Sequence, residues 1–328
     1  MPSEFYLKPL GMLPGEPARQ AVASGIARRL AGGPLAFTAV DLIRRGPENQ
    51  REAALLDIGS LQSCNLRTED PVLSAALETA VDTVAAPRAD FAGLPLDRPR
   101  LMGVVNVTPD SFSDGGRYHD GAAAIAHGRA LMQAGADILD IGGESTRPGA
   151  APVTIEEELS RVLPVIAALA KDCAVVSIDT RHALVMRRAV DAGARIINDV
   201  TALAGDPDSM RAAAESGAGI VLMHMQGEPR TMQKDPQYRD APLDIYDYFS
   251  ARLDACAQAG IARGRVVLDP GIGFGKNDRH NIALLDDLAL LHGLGCGLLL
   301  GYRVIDVPAR ADGTVACEEP GSRGSGDG

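Results

Sequence analysis

The chain has no surplus of positive charge, no paired cysteines and no long apolar run, and each lack closes a class of function. Lys and Arg number 32 against 43 Asp and Glu, a formal net charge of −11. A general nucleic-acid binder needs a basic face, so no nucleic-acid partner is expected; a small anionic substrate stays open, because a site can be locally basic. The five cysteines, Cys64, Cys173, Cys256, Cys296 and Cys317, are scattered, odd in number and never spaced as CxxC. That argues against a disulfide framework or a zinc site, and buried thiols in a reducing cytosol are the better reading. No stretch reaches the apolar length of a membrane span, and "MPSEFYLKPLGMLPG" lacks the charged-then-apolar order of a signal peptide. A soluble, cytoplasmic protein with no membrane partner is expected.

Hydrophobic residues are 46% of the 328, enough for a sizeable core. From about residue 100 a unit recurs: a short apolar run, a polar loop, then a helical pattern. The strand candidates are "LMGVVNVT" (101–108), "ADILDIGG" (136–143), "AVVSIDT" (174–180), "RIINDV" (195–200), "GIVLMHM" (219–225), "RVVLDPG" (265–271) and "GLLLGY" (297–302). All are rich in Val, Ile or Leu, as strands of a parallel sheet covered on both faces must be. Helical segments follow the first, second, third and fifth. Thr154 and Glu157 are spaced as a capping box, and Ala-Gly recurs as a helix stop. No GxGxxG opens the first helix, which argues against a dinucleotide-binding sheet. The reading is α/β, a (β/α)8 TIM-type barrel over 99–301, incomplete at strands 7–8. Residues 1–98 form an N-terminal extension or small subdomain in which nothing suggests chemistry. "RADFAGLPLDRPR" (88–100) has the Pro, Gly and charge of a linker, and 302–328 reads as an aberrant, disordered tail.

In such a barrel, function gathers at the C-terminal ends of the strands. Asn106, Glu144, Asp179, Asn198, His224 and Asp269 all fall there. Each Asp alone could equally cap the next helix or turn. Together, Asp179, Asn198 and Asp269 make a donor-reading pocket, since a carboxylate accepts two parallel hydrogen bonds from an N–C–N edge. Asn106 offers an uncharged oxygen of the kind that holds Mg²⁺ beside a phosphate. Phe112 lies in the long loop after it, whose glycines suit a lid. "DPGIGFGK" is no phosphate loop, lacking the Lys-Ser/Thr ending; its glycines, Gly273 among them, would let a flat ring approach the backbone against Phe274. Met223 reads as apolar lining, and His224 as a hydrogen-bonded structural histidine. "GGESTRPG", with a carboxylate, two hydroxyls and a guanidinium in consecutive positions, is more than a connecting turn.

Taken in order, "MGVVNVTPDSFSDGG", "DILDIGGESTRPGA", "SIDT", "INDV", "LMHMQGEPRTMQ" and "LDPGIGFGK" resemble the dihydropteroate synthases from about Arg100 to Leu300. The resemblance implies a barrel that condenses 7,8-dihydropterin pyrophosphate with p-aminobenzoate, giving dihydropteroate and pyrophosphate, with Mg²⁺ as cofactor. It implies that Asp179, Asn198 and Asp269 bind the pterin ring between Met223 and Phe274, and that Asn106 is the Mg²⁺ position. Thr146 and Arg147 would meet the pyrophosphate as the catalytic pair, and Phe112 and Pro148 the p-aminobenzoate ring. A homodimer is admitted but not required. After "GLLLG" the family's Ser-Arg-Lys and a later Arg-Val-His are absent; the text is "GYRVIDVPARADGTVACEEPGSRGSGDG". Two alternatives follow. One is an inactive or non-catalytic pterin-binding protein. The other is a methyltetrahydrofolate-dependent methyltransferase, against which "STRPG" argues.

Overall fold

The computed structural model describes residues 5–46, 50–62, 71–107, 116–144, 153–172, 174–227 and 231–301. The first stretches build a small α+β unit. Strand β1 (Tyr6–Leu10) is followed by helix α1 (Gly15–Ala23) and a two-stranded ribbon of β2 (Arg28–Arg29) and β3 (Ala36–Phe37). Then come β4 (Ala39–Arg45), β5 (Arg51–Asp57), α2 (Ile58–Gln62) and α3 (Pro71–Ala85). β1, β4 and β5 form an antiparallel sheet in that order, and Leu7, Phe37, Val40 and Ile58 on its side bury against Leu77, Val81 and Val84 of α3. Within "ARQAVASGIARRLAGG" the helix runs only as far as Ala23. Gly25 (φ 75°) turns the chain, and the arginines that follow enter the ribbon.

The second part is a curled parallel sheet. Its strands are β6 (Met102–Asn106), β7 (Ile138–Gly142), β8 (Val175–Asp179), β9 (Ile196–Asp199), β10 (Gly219–Met223), β11 (Val266–Asp269) and β12 (Gly297–Leu298), paired in sequence order. Helices α4 (Gly116–Gln133), α5 (Ile155–Lys171), α6 (Ala183–Asp191), α7 (Ser209–Ser216), α8 (Ala241–Gln258) and α9 (Asp278–Asp286) fill the connections. α7 and α9 are short and carry no long apolar stripe, which is why periodicity alone passes over them. The Thr154 hydroxyl accepts from Glu157 N–H at 3.2 Å, so half of the expected capping box is made. Gly135, Gly193, Gly217 and Gly260 end helices with positive φ. No helix among the described residues is long and apolar enough to cross a membrane.

Strand alternation sends successive side chains to opposite faces. Leu139, Ile141, Val176, Ile178, Ile197, Ile220, Leu222 and Leu268 point outward and bury against the helices. The inward set begins with an apolar floor of Met102, Ile138, Val175, Ile196, Val221 and Val267. That floor is plugged from below by Phe91, Leu94 and Leu96. Phe91 and Leu94 exchange two backbone hydrogen bonds of 2.9 Å, making a tight turn that drives the ring upward. Gly219 makes room for it, since a Cβ there would lie 2.8 Å from the Phe91 ring. The stretch with linker composition is therefore a structural part of the barrel; its three apolar residues are the ones that composition hides.

The N-terminal unit docks on the side of the barrel where the sheet ends. Tyr6 stacks edge-on to Tyr246 of α8 at 5.2 Å and donates to Asp247 at 2.9 Å. Arg45 reaches Asp244 at 2.8 Å, Lys8 reaches Asp287 at 2.7 Å, and Arg51 bridges Asp240 and Asp287. None of its described strands joins the barrel sheet. Among the described residues β6 and β12 each lack a partner on one side, so the barrel is incomplete between them. Val104, which should face inward, is accordingly 55% exposed. The expectation about 302–328 lies outside the described residues.

Candidate active site

Above the floor the interior turns polar. Asp140 and Ser177 are register partners on β7 and β8. Two residues further along these strands, Gly142 pairs with Asn106 on one side and with Asp179 on the other, and Asp179 pairs with Asn198. Met223 pairs with Asp269 on β10 and β11. Asn106, Asp179, Asn198, Met223 and Asp269 thus line one rim at the strands' C-terminal ends. Gly142 lies between two of these side chains: a Cβ there would be in ordinary contact with Asn106 Oδ1 at 3.5 Å and Asp179 Oδ2 at 3.6 Å.

The electrostatics of this rim are those of crowded, desolvated acids. Burial raises Asp179 well above the usual carboxylate range, and the charges of Asp140, Asp199, Glu158 and Glu144 raise it further. Burial pushes Asp269 up to about 6, against the Gly271 N–H that donates to Oδ1 at 2.8 Å and the Lys276 charge. Asp140 is also raised, by burial, opposed by the Asn198 amide. Ionised carboxylates in such a place are short of donors, which is what a ligand with a hydrogen-bond-donating edge would bring. Asp199, the neighbour of Asn198, points the other way. It accepts from Thr201 and Leu203 N–H at 2.7 and 3.0 Å and so holds a turn in which Ala202 and Leu203 take φ of 53° and 61°.

The loop after β11 packs on the segment after β10. A Cβ on Gly271 (φ 64°) would lie 2.2 Å from the His224 carbonyl oxygen, and one on Gly275 (φ 61°) 2.5 Å from that of Gln226. Those two glycines serve chain packing. Gly273 (φ 83°) has open space where a Cβ would be, so it is the one past which a ring could slide; Phe274 beside it is partly buried. Lys276 ties the two segments together. Its Nζ donates to the Gly271 and Phe274 carbonyls at 2.9 Å and lies 3.2 Å from the His224 carbonyl and 3.1 Å from His224 Nδ1. Burial pulls this ammonium down to about 7, the Asp269 charge opposing. Burial and Lys276 push His224 down to about 3, so the ring is neutral and Nδ1 accepts. His224 is the structural, hydrogen-bonded histidine expected from its position.

Sequence reading missed two groups. Lys276 ends "GFGK", and a lysine after three loop glycines was a signal to follow. Asp140 sits mid-strand in "DILDIGG", and a carboxylate two residues before an inward glycine had to be inward as well. Phe112, Thr146, Arg147 and Pro148 lie outside the described residues. No group of three or more His, Cys, Asp or Glu with metal-binding geometry occurs among the described residues. Asn106 Oδ1 and Asp179 Oδ2 both border the space beside Gly142, and oxygens of this kind are the donors that Mg²⁺ takes.

Residues 102–312 match the family described as pterin binding enzyme. The dihydropteroate synthase of Escherichia coli (strain K12) is 49% identical over 239 residues, covering 70% of this chain and 84% of that protein. The Neisseria meningitidis serogroup B synthase is 50% identical over 211 residues, 63% of this chain and 74% of that one. Among solved structures, Xanthomonas albilineans dihydropteroate synthase with 4-aminobenzoic acid superposes with a TM-score of 0.60 at 49% identity, over 65% of this chain and 77% of that one. The same enzyme in complex with 7,8-dihydropteroate gives 0.58 at 46% identity, over the same shares.

Proposed function

The chain belongs to the pterin binding enzymes and is a transferase of the dihydropteroate synthase type; we propose how its rim residues divide the work. The reaction joins a 7,8-dihydropterin carrying a pyrophosphorylated 6-methylene to p-aminobenzoate. The arylamine nitrogen attacks the methylene carbon, the C–O bond to pyrophosphate breaks, and the nitrogen loses a proton. Asp269, Asp179 and Asn198 take the donor edge of the pterin, with Met223 and Phe274 as its walls and Gly273 as the gap that admits it. Holding the ring by ionised carboxylates keeps it electron-rich, which favours departure of the pyrophosphate from the methylene.

Asn106 would hold Mg²⁺ beside the pyrophosphate, where the ion's charge eases loss of the leaving group. Thr146 and Arg147 would contact that same group, and Phe112 and Pro148 the p-aminobenzoate ring. The observation that carries this reading is the inward set of Asp179, Asn198 and Asp269 on three neighbouring parts of one rim, above a closed apolar floor. Its test is release of pyrophosphate that depends on both substrates, measured beside calorimetric binding of a pterin. Pterin binding with no turnover would favour a second reading, a pterin-binding protein without catalysis. The unpaired outer edges of β6 and β12 among the described residues give that reading its footing.

A further inference from the structure

We propose that Asp140 is a positioning residue: it fixes the amide of Asn198 so that the carbonyl oxygen and the second N–H of that amide face the ligand. This rests on the assignment of the ring site above. An Asn side chain can present either its oxygen or its nitrogen to a partner, and nothing in its own shape chooses between them. Here the choice is made from across the sheet. Asn198 Nδ2 donates to Asp140 Oδ2 at 2.9 Å, over the top of Ser177 on the intervening strand. A carboxylate has no donor when ionised, so it accepts only the nitrogen end of the amide and rejects the flipped one.

Asp140 is buried, 6% exposed, and lies between the apolar floor and the rim. Ser177, its fully buried register partner, lies beside it, and the Asn198 amide opposes the desolvation of its carboxyl. Oδ1 of Asp140 and Oγ of Ser177 have no close hydrogen-bond partner of their own, which leaves polar capacity in this layer. A buried carboxylate so poorly supplied is costly to stability, and a merely structural position in an apolar strand would take Val or Leu. Its presence there is explained by a ligand site that requires the anchored amide. Asp140 would not touch the ligand; it would act through Asn198.

The test is calorimetry with a 6-hydroxymethylpterin and steady-state kinetics on the full chain. Asp140→Ala is expected to weaken pterin binding about tenfold, the size of one mis-set hydrogen-bonding group, with KM for the pterin substrate rising by a like factor and kcat within about twofold. Asp140→Asn can turn either end of its own amide to Asn198, so it loses part of the selection and should bind the pterin about threefold more weakly than the parent, between the parent and the Ala variant. On an Asn198→Ala background, Asp140→Ala should add less than about twofold, because the group it acts through is gone. Should the alanine variant fail to fold, Asp140→Val fills the layer and is expected to show the same loss. Parent-like affinity in the Ala or Val variant overturns the proposal. So does an Asn variant that binds as tightly as the parent, or a full tenfold loss on the Asn198→Ala background. A parent chain that binds no pterin overturns the ring site itself, and this role with it.

Discussion

The floor and the rim of the barrel are built by the same strands, yet they obey opposite rules. Ile138 and Val175 belong to the floor, while Asp140 and Ser177 come two residues later on the same strands. The floor is apolar, closed from below by Phe91, and gains free energy from every group buried there. The rim buries carboxylates whose ionisation is opposed by their surroundings, so it spends part of that gain. Stability and binding are thus separated by about one strand repeat, and substitutions in the two layers should have opposite signatures.

The largest expected effect is in the floor. Phe91→Ala removes the plug and leaves a cavity under Gly219, which should cost about 3–5 kcal/mol of unfolding free energy. Denaturant melts will report it, while pterin affinity of the folded protein should move by less than about twofold. Next comes the rim. Asp269→Ala leaves ligand donors unmet, a loss of about 1–3 kcal/mol in pterin binding by calorimetry, with the melting temperature little changed or raised. Equal losses of stability and affinity in either variant would erase the distinction between the layers.

A smaller effect has the opposite sign. A carboxyl whose folded pKa lies above its unfolded value costs stability at every pH above the unfolded pKa, and the cost fades as pH falls through the folded pKa. Asp179 is such a group. Asp179→Asn should therefore stabilise the ligand-free chain at pH 7, by about 0.5–2 kcal/mol, while weakening pterin binding. A destabilised Asn variant would mean that the Asp179 charge is already satisfied without ligand.

The barrel was legible because a covered parallel strand admits few polar residues, so those in "SIDT", "IINDV" and "VVLDPG" stood out at strand ends. The site was legible as far as single strands show it. Asp140 was hidden because its meaning lies in a contact with Asn198 two strands away, and Lys276 because its partners are backbone carbonyls that any sequence supplies. The Phe91–Leu96 plug was hidden because prolines and charges around it average out three apolar residues. Docking of the N-terminal unit depends on Lys8, Arg45 and Arg51 meeting aspartates more than a hundred residues away, and no local pattern announces that.

The most direct test of the rim's nature is the pH dependence of pterin binding by calorimetry between pH 5 and about 7.5. Ligand donors need an ionised Asp269, and burial has lifted its pKa to about 6. Above that pH Asp269 should contribute no further change; below it, affinity should fall toward tenfold per unit from this group, with protons released on binding. Asp269→Ala should bind weakly and lose most of that slope, and Phe91→Ala, where folded, should keep it. Affinity that is flat across the range in the parent chain, or equal slopes in the parent and Asp269→Ala, would contradict a pterin edge held by this buried carboxylate.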